Sequence, residues 1–112
     1  MIHELKILPG FFEDVLAGRK NFEVRKNDRD FREGDLLALN EYGEGGYTGR
    51  CCLVMIDYIL NDENYCLKGY VILGIKPCYV AFQNGYDAVH NTNHYKIPLV
   101  DKQPTREVVK NG

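Results

Sequence analysis

The residues best equipped for chemistry fall in one run, Gly18-Arg19-Lys20-Asn21-Phe22-Glu23-Val24-Arg25-Lys26-Asn27-Asp28-Arg29. Lys20 offers a point charge for a phosphate. Arg25 offers a planar fork that binds an oxyanion bidentately or stacks on a base. Glu23 and Arg25 stand two apart on a strand pattern and project from one face, where the carboxylate can orient the guanidinium or accept from an exocyclic amine. From Arg19 to Arg32, six cations meet three carboxylates, a local +3 within a chain of net charge −2. A positive patch on an acidic body points to one anionic ligand rather than to general polyanion binding. Lys26 and Arg29 widen the patch. The structural alternative is that Glu23 pairs with Arg25 or Lys20 only to brace a helix against the sheet.

A second group follows at Tyr47-Thr48-Gly49-Arg50. Arg50 is the other cation expected at the same cleft, with Tyr47 placed to stack a base and Thr48 to bond a phosphate or sugar oxygen. For hydrolysis, Lys20 would serve as base or oxyanion partner and Glu23 would activate a water, with Asp57 on a later strand as a second carboxylate. The metal-ligand types do not converge. Cys51, Cys52, Cys66 and Cys78 form no Cys-x-x-Cys pair, and Asn91-Thr92-Asn93 between His90 and His94 is turn chemistry. The cysteines read as reduced, mostly buried apolar residues. No metal and no cofactor is expected.

These side chains need elements to hold them. Leu5 and Ile7, with His3, alternate with polar residues and predict a first strand ending at Pro9. Phe11, Phe12, Val15 and Leu16 recur at helical spacing, with Glu13 and Asp14 expected near the dipole-favoured N-terminal end and Gly18 as the C-terminal stop. The helix delivers the chain into the basic strand, where Phe22 and Val24 are expected on the buried face and Asn21, Glu23 and Arg25 on the other. Arg32-Glu33-Gly34-Asp35 turns into a strand from Leu36 to Tyr42, and Gly43-Glu44-Gly45-Gly46 reads as a flexible loop. An apolar strand from Cys51 to Leu60 and another from Gly69 to Ile75 follow, with Tyr79 to Phe82 as a possible last strand.

The 112 residues suit one domain, expected over 1–97, with 98–112 as a loosely held tail. With 45% hydrophobic and 27% charged residues, the composition is that of an ordinary globular chain. No apolar run nears the roughly 20 residues of a membrane span. The start Met1-Ile2-His3-Glu4-Leu5-Lys6 carries no export pattern, so a cytoplasmic location is expected. Five or six short strands with one early helix predict an α+β protein built on a compact β-barrel.

Gly18-x-Lys20-x-x-Glu23-x-Arg25, followed by Gly34-Asp35 before a strand, resembles the signature of the ASCH superfamily. His3-Glu4-Leu5-Lys6-Ile7, Phe22 to Arg29, Tyr47-Thr48-Gly49-Arg50 and Gly69 to Ile75 are closer still to an uncharacterised ASCH-like family of bacteria and phages. The resemblance covers roughly Ile2 to Ile75. It implies a PUA-like β-pseudobarrel of five to six strands with one short helix, and RNA or a nucleotide as partner. Some ASCH members resemble amidohydrolases acting on acetylated cytidine, and others are linked to RNA cleavage. In the amidases a threonine nucleophile stands where this chain has Glu23, so the expectation leans to a binder. A protein-interaction module is the third class, marked by an exposed apolar patch rather than a concave polar cleft. The leading expectation places Lys20, Glu23, Arg25 and Arg50 around one depression, with Lys26, Arg29, Tyr47 and Thr48 contributing.

Overall fold

A computed structural model describes residues 1–78 and 99–101. In chain order the elements are β1 (Ile2–Ile7), α1 (Pro9–Leu16), β2 (Phe22–Lys26), β3 (Leu36–Gly43), β4 (Gly46–Leu60), β5 (Tyr70–Pro77) and β6 (Leu99–Asp101). Five strands form one curled sheet in the order β1-β3-β4-β5-β2, with β6 also pairing β4. β1 runs parallel to β3, and the other pairings are antiparallel. β5 pairs the second half of β4, and β6 pairs Arg50–Cys52 of the same strand. Part of the segment expected as a tail is thus strand. The possible strand at Tyr79 to Phe82, and the histidines His90 and His94, lie outside the described residues.

Alternation places Leu5 and Ile7 of β1, Leu37 and Leu39 of β3, and Val71 and Leu73 of β5 in one core, which Phe12 and Val15 of α1 cover. Pro9 is the first residue of α1, where its missing N–H goes unnoticed, rather than the end of β1. The helix therefore starts earlier than expected, and Glu13 and Asp14 sit in its second turn. Their carboxylates answer arginines instead of the helix dipole. Gly18, at φ +76°, ends the helix in the left-handed region as its sequence position predicted.

The edges of the sheet are β1 and β2. The backbone N–H of Leu36 bonds the Met1 carbonyl, so odd residues of β1 face β3 and the Glu4 and Lys6 carbonyls face the open side. Two guanidiniums span that gap. Arg25 Nη2 donates to the Lys6 carbonyl at 2.5 Å, and Arg29 Nη1 to the Glu4 carbonyl at 3.0 Å. Arginine side chains thus close the half-barrel where no strand pairing does.

Two expectations are corrected here. Gly43 to Gly46 is a tight hairpin: Gly43 pairs Gly46, leaving Glu44 and Gly45 as the turn, so Tyr47 to Arg50 belong to a strand. The faces of β2 are also reversed. Glu23 is 2% exposed, whereas Phe22 and Val24 are 45% and 50% exposed. Glu23 and Arg25 pair with Leu73 and Val71 of β5 and share their inward face. A strand with only two apolar side chains follows its ion pairs when these satisfy a buried carboxylate.

Candidate functional site

The end of β1, the helix α1 and the edge strand β2 enclose a cavity of about 620 Å³. Glu23 forms its floor. Lys20 Nζ donates to Glu23 Oε1, and also to the Phe22 carbonyl at 2.7 Å. Arg25 Nε donates to Glu23 Oε2 at 2.8 Å, with Nη2 2.7 Å from the same oxygen. A carboxylate this deep is tolerable because both its oxygens meet charged donors. Two cations share one carboxylate, so the floor keeps a net positive charge. Among the described residues, Arg25 Nη1 has no partner.

Above this floor stand two phenyl rings. Lys20 Nζ lies 5.5 Å from the Phe11 centroid and 5.0 Å from that of Phe22, within cation–π range of both. Phe11, one of the four apolar residues at helical spacing, is 51% exposed and forms a wall of the cavity. At the rim, Arg19 Nη2 pairs with Asp14 Oδ1 at 2.6 Å. The cavity can hold a flat group between aromatic walls and bond its oxygens with donors below.

Arg50 belongs to another cluster. Its Nε and Nη2 donate to the two oxygens of Glu41 at 2.9 and 3.0 Å, and Nη2 also reaches Glu13 Oε1 at 2.6 Å. Thr48 Oγ1 donates to Glu41 Oε1 at 2.7 Å, and the Arg50 guanidinium lies 4.8 Å from the Phe12 centroid. Arg50 holds the Glu41 carboxyl below its ordinary pKa, and its own is raised by Glu41 and then Glu13. The cluster fastens α1 to β3 and β4. An irregularity in the β3–β4 register between Asn40 and Tyr42 gives Glu41 room to receive these donors.

The remaining expected site residues disperse. Tyr47 packs edge-on against Tyr42, their centroids 4.9 Å apart, and Lys6 Nζ sits 4.4 Å from the Tyr42 ring. Burial, more than its neighbours Tyr42 and Glu4, raises the Tyr47 pKa. Tyr47, Thr48 and Arg50 do not line the cavity, nor do Lys26, Arg29 and Asp57. Lys26 is exposed at the end of β2, Arg29 lies 3.9 Å from Asp28 while capping β1, and Asp57 is exposed on β4. Most of the cations in the +3 run thus meet carboxylates of the chain itself. Of the expected group, the cavity gathers Lys20, Glu23 and Arg25.

A buried pair went unnoticed in the sequence. His3 Nε2 lies 2.8 Å from Asp35 Oδ2, which also accepts the Arg32 backbone N–H at 3.1 Å, and Phe31 packs on the imidazole at 4.8 Å. The bond with His3, above all, lowers the Asp35 pKa. Its signal was present in Gly34-Asp35 before a strand and in His3 on the alternating face of β1. The four cysteines are thiols, with Cys51, Cys52 and Cys78 buried. Burial pushes the Cys52 and Cys78 thiols up, away from reactivity. Among the described residues no group of acids, histidines and cysteines is placed to hold a metal, and no helix is long and apolar enough to cross a membrane.

A curled half-barrel sheet with one short helix across it, and an ion-paired, aromatic-walled cavity at its open seam, defines a small, mostly-strand protein class. Residues 2–75 match the family model described as Domain of unknown function (DUF3850), and the chain belongs to that family. It is similar to a protein of Escherichia phage P2 named "Uncharacterized 12.9 kDa protein in GpA 3'region", with 39% identity over 72 residues. That match takes in 64% of this chain, and the chain spans 65% of the relative's length. Every residue of the cavity lies inside the family match.

Proposed function

We propose that the protein is an RNA- or nucleotide-binding domain whose ligand enters the cavity between α1 and β2. One observation carries the reading: exposed Phe11 and Phe22 flank the Lys20 ammonium above the buried Glu23–Arg25 pair. Aromatic faces stack bases of any sequence, and the donors left over on Lys20 and Arg25 suit carbonyl or phosphate oxygens. Glu23 holds both cations in place rather than meeting the ligand first. Lys26 and Arg29 add positive field on the approach, while Arg50 and Thr48 secure the helix that carries Phe11. Membership of the ASCH superfamily, a PUA-like fold and a cytoplasmic location are proposed with it, since ASCH domains are commonly associated with RNA. The described residues lining the cavity include no serine, threonine or cysteine, so a covalent amidohydrolase route lacks its nucleophile there. Binding without chemistry is the better supported reading.

Fluorescence anisotropy with labelled single-stranded RNA tests this. Phe11→Ala, at an exposed site that leaves the ion pairs intact, is expected to weaken binding by about 1–3 kcal/mol. Arg25→Ala should lose a similar amount, and Lys20→Ala should flatten the salt dependence by about one unit of slope. Unchanged affinity in Phe11→Ala and Arg25→Ala, with folding verified by circular dichroism, rejects the cavity as the site.

A further inference from the structure

The cavity borders strand edges as well as side chains. Phe22, Glu23, Val24 and Arg25, consecutive in β2, line it, as do Lys6 and Ile7 at the end of β1. Side chains alternate between the two faces of a sheet, so a space touched by successive residues runs along the edge of the strand. Glu23 and Arg25 reach it from the inward face and Phe22 from the outward one. Val24 sits between them on that edge.

The ladder decides which backbone groups look into the seam. The Ile75 N–H donates to the Asn21 carbonyl at 3.0 Å, and the Asn27 N–H to the Gly69 carbonyl at 2.9 Å. With the register unbroken between them, the odd residues of β2 direct their N–H and C=O to β5. Phe22, Val24 and Lys26 turn theirs to the open side. There the Phe22 carbonyl accepts from Lys20 Nζ, and the Lys26 carbonyl accepts the Asp28 N–H at 2.9 Å. Across the gap, Arg25 and Arg29 take the Lys6 and Glu4 carbonyls. Among the described residues, Val24 keeps both its N–H and its C=O without a partner. Such a residue offers a donor and an acceptor side by side, the arrangement by which facing strand residues exchange two bonds. An added peptide strand needs a repeating row of these pairs. A single complete pair beside two aromatic rings suits a flat group one residue wide.

We infer that the Val24 main chain reads the Watson–Crick edge of an unpaired base stacked against Phe11 and Phe22. Every base carries an acceptor and a donor on adjacent atoms of that edge, as uracil does in its 4-carbonyl and ring N3–H, and these meet the Val24 N–H and C=O. This rests on the proposed cavity site and deepens it. The site takes single-stranded nucleotides of any sequence, and it rejects a base whose edge is occupied by a complementary strand or blocked by a methyl group.

Competition against a labelled hexauridylate, read by anisotropy, compares uridine monophosphate with its 3-methyl and 5-methyl derivatives. The 3-methyl group removes the donor and stands against the Val24 carbonyl, whereas the 5-methyl group lies off that edge. The 3-methyl compound should bind about 10- to 100-fold more weakly than uridine monophosphate, and the 5-methyl compound should match it. Val24→Pro removes the N–H at an edge position outside the ladder. It should weaken uridine monophosphate by about 10-fold and change the 3-methyl compound little, because that contact is already lost. Equal affinity for uridine monophosphate and its 3-methyl derivative overturns the main-chain contact, whether or not Val24→Pro folds. Equal weakening of both compounds by Val24→Pro overturns it too. Failure of uridine monophosphate to compete, or competition unaffected by Phe11→Ala, rejects the cavity itself.

Discussion

Replacing Glu23 with alanine removes the one carboxylate that holds both Lys20 and Arg25. The Glu23 side chain is 3% exposed, against 14% for Lys20 and 22% for Arg25. Stranding a buried charge by deleting its partner costs about 3–5 kcal/mol. Both cations here keep some access to water, so the lower end applies, about 3 kcal/mol for Glu23→Ala. Glu23→Gln preserves shape and one acceptor oxygen but loses the charge, which gives about half that penalty. With a urea slope of about 1.5 kcal/mol per molar, the alanine variant should unfold about 2 M earlier than wild type. Adding Lys20→Ala to Glu23→Ala should cost less than the sum of the two single changes, since the second cation removed is no longer paired. The assay is urea unfolding followed by circular dichroism. A shift below about 0.3 M for Glu23→Ala would mean that the inward face of β2 does not depend on these ion pairs.

The other outcomes concern the acids at the two remaining clusters. Asp35 and Glu41 have lowered folded-state pKa values, so their stabilisation is complete above the ordinary carboxylate pKa of about 4 and is lost as pH falls through the lower folded values. Unfolding midpoints should therefore drop below about pH 4, and Asp35→Asn should flatten that decline while lowering stability at neutral pH; an identical pH profile would refute the His3–Asp35 assignment. Arg50→Ala, which leaves a 6% exposed Glu41 with Thr48 alone, should cost about 2–3 kcal/mol in urea unfolding. Arg50→Lys should recover only part of that, because an ammonium cannot span Glu41 and Glu13 as a fork does. If Arg50→Ala weakened RNA binding with stability unchanged, Arg50 would belong to the cleft after all.

Local periodicity made β1, β3 and β5 legible, and Gly18 marked the end of the helix because its left-handed conformation is a property of the residue itself. The Lys20, Glu23 and Arg25 grouping was legible for the same reason, since all three lie within six residues. The faces of β2 were not. Phe22 and Val24 look like core residues until the Lys6 carbonyl, 19 residues from Arg25, supplies the third anchor of the ion-pair network. The fate of Arg50 depended on Glu13, 37 residues away, and on an irregular register at Glu41. The bulge at Asp57, between the Ile56–Ile75 and Tyr58–Gly74 pairs of β4 with β5, left no mark in the apolar run from Cys51 to Leu60, whose β-branched and aromatic residues suit either face.

The two guanidiniums that close the sheet also bear on how the molecule behaves among copies of itself. A sheet with unpaired strands at both ends offers backbone groups on which another chain can crystallise as a further strand, the first step toward ordered aggregates. On β1 the Glu4 and Lys6 carbonyls are already taken by Arg29 and Arg25. An incoming strand would have to displace charged groups held by their own bonds. The closure that shapes the cavity thereby acts as a guard against polymerisation, and Arg25 serves both ends with one side chain.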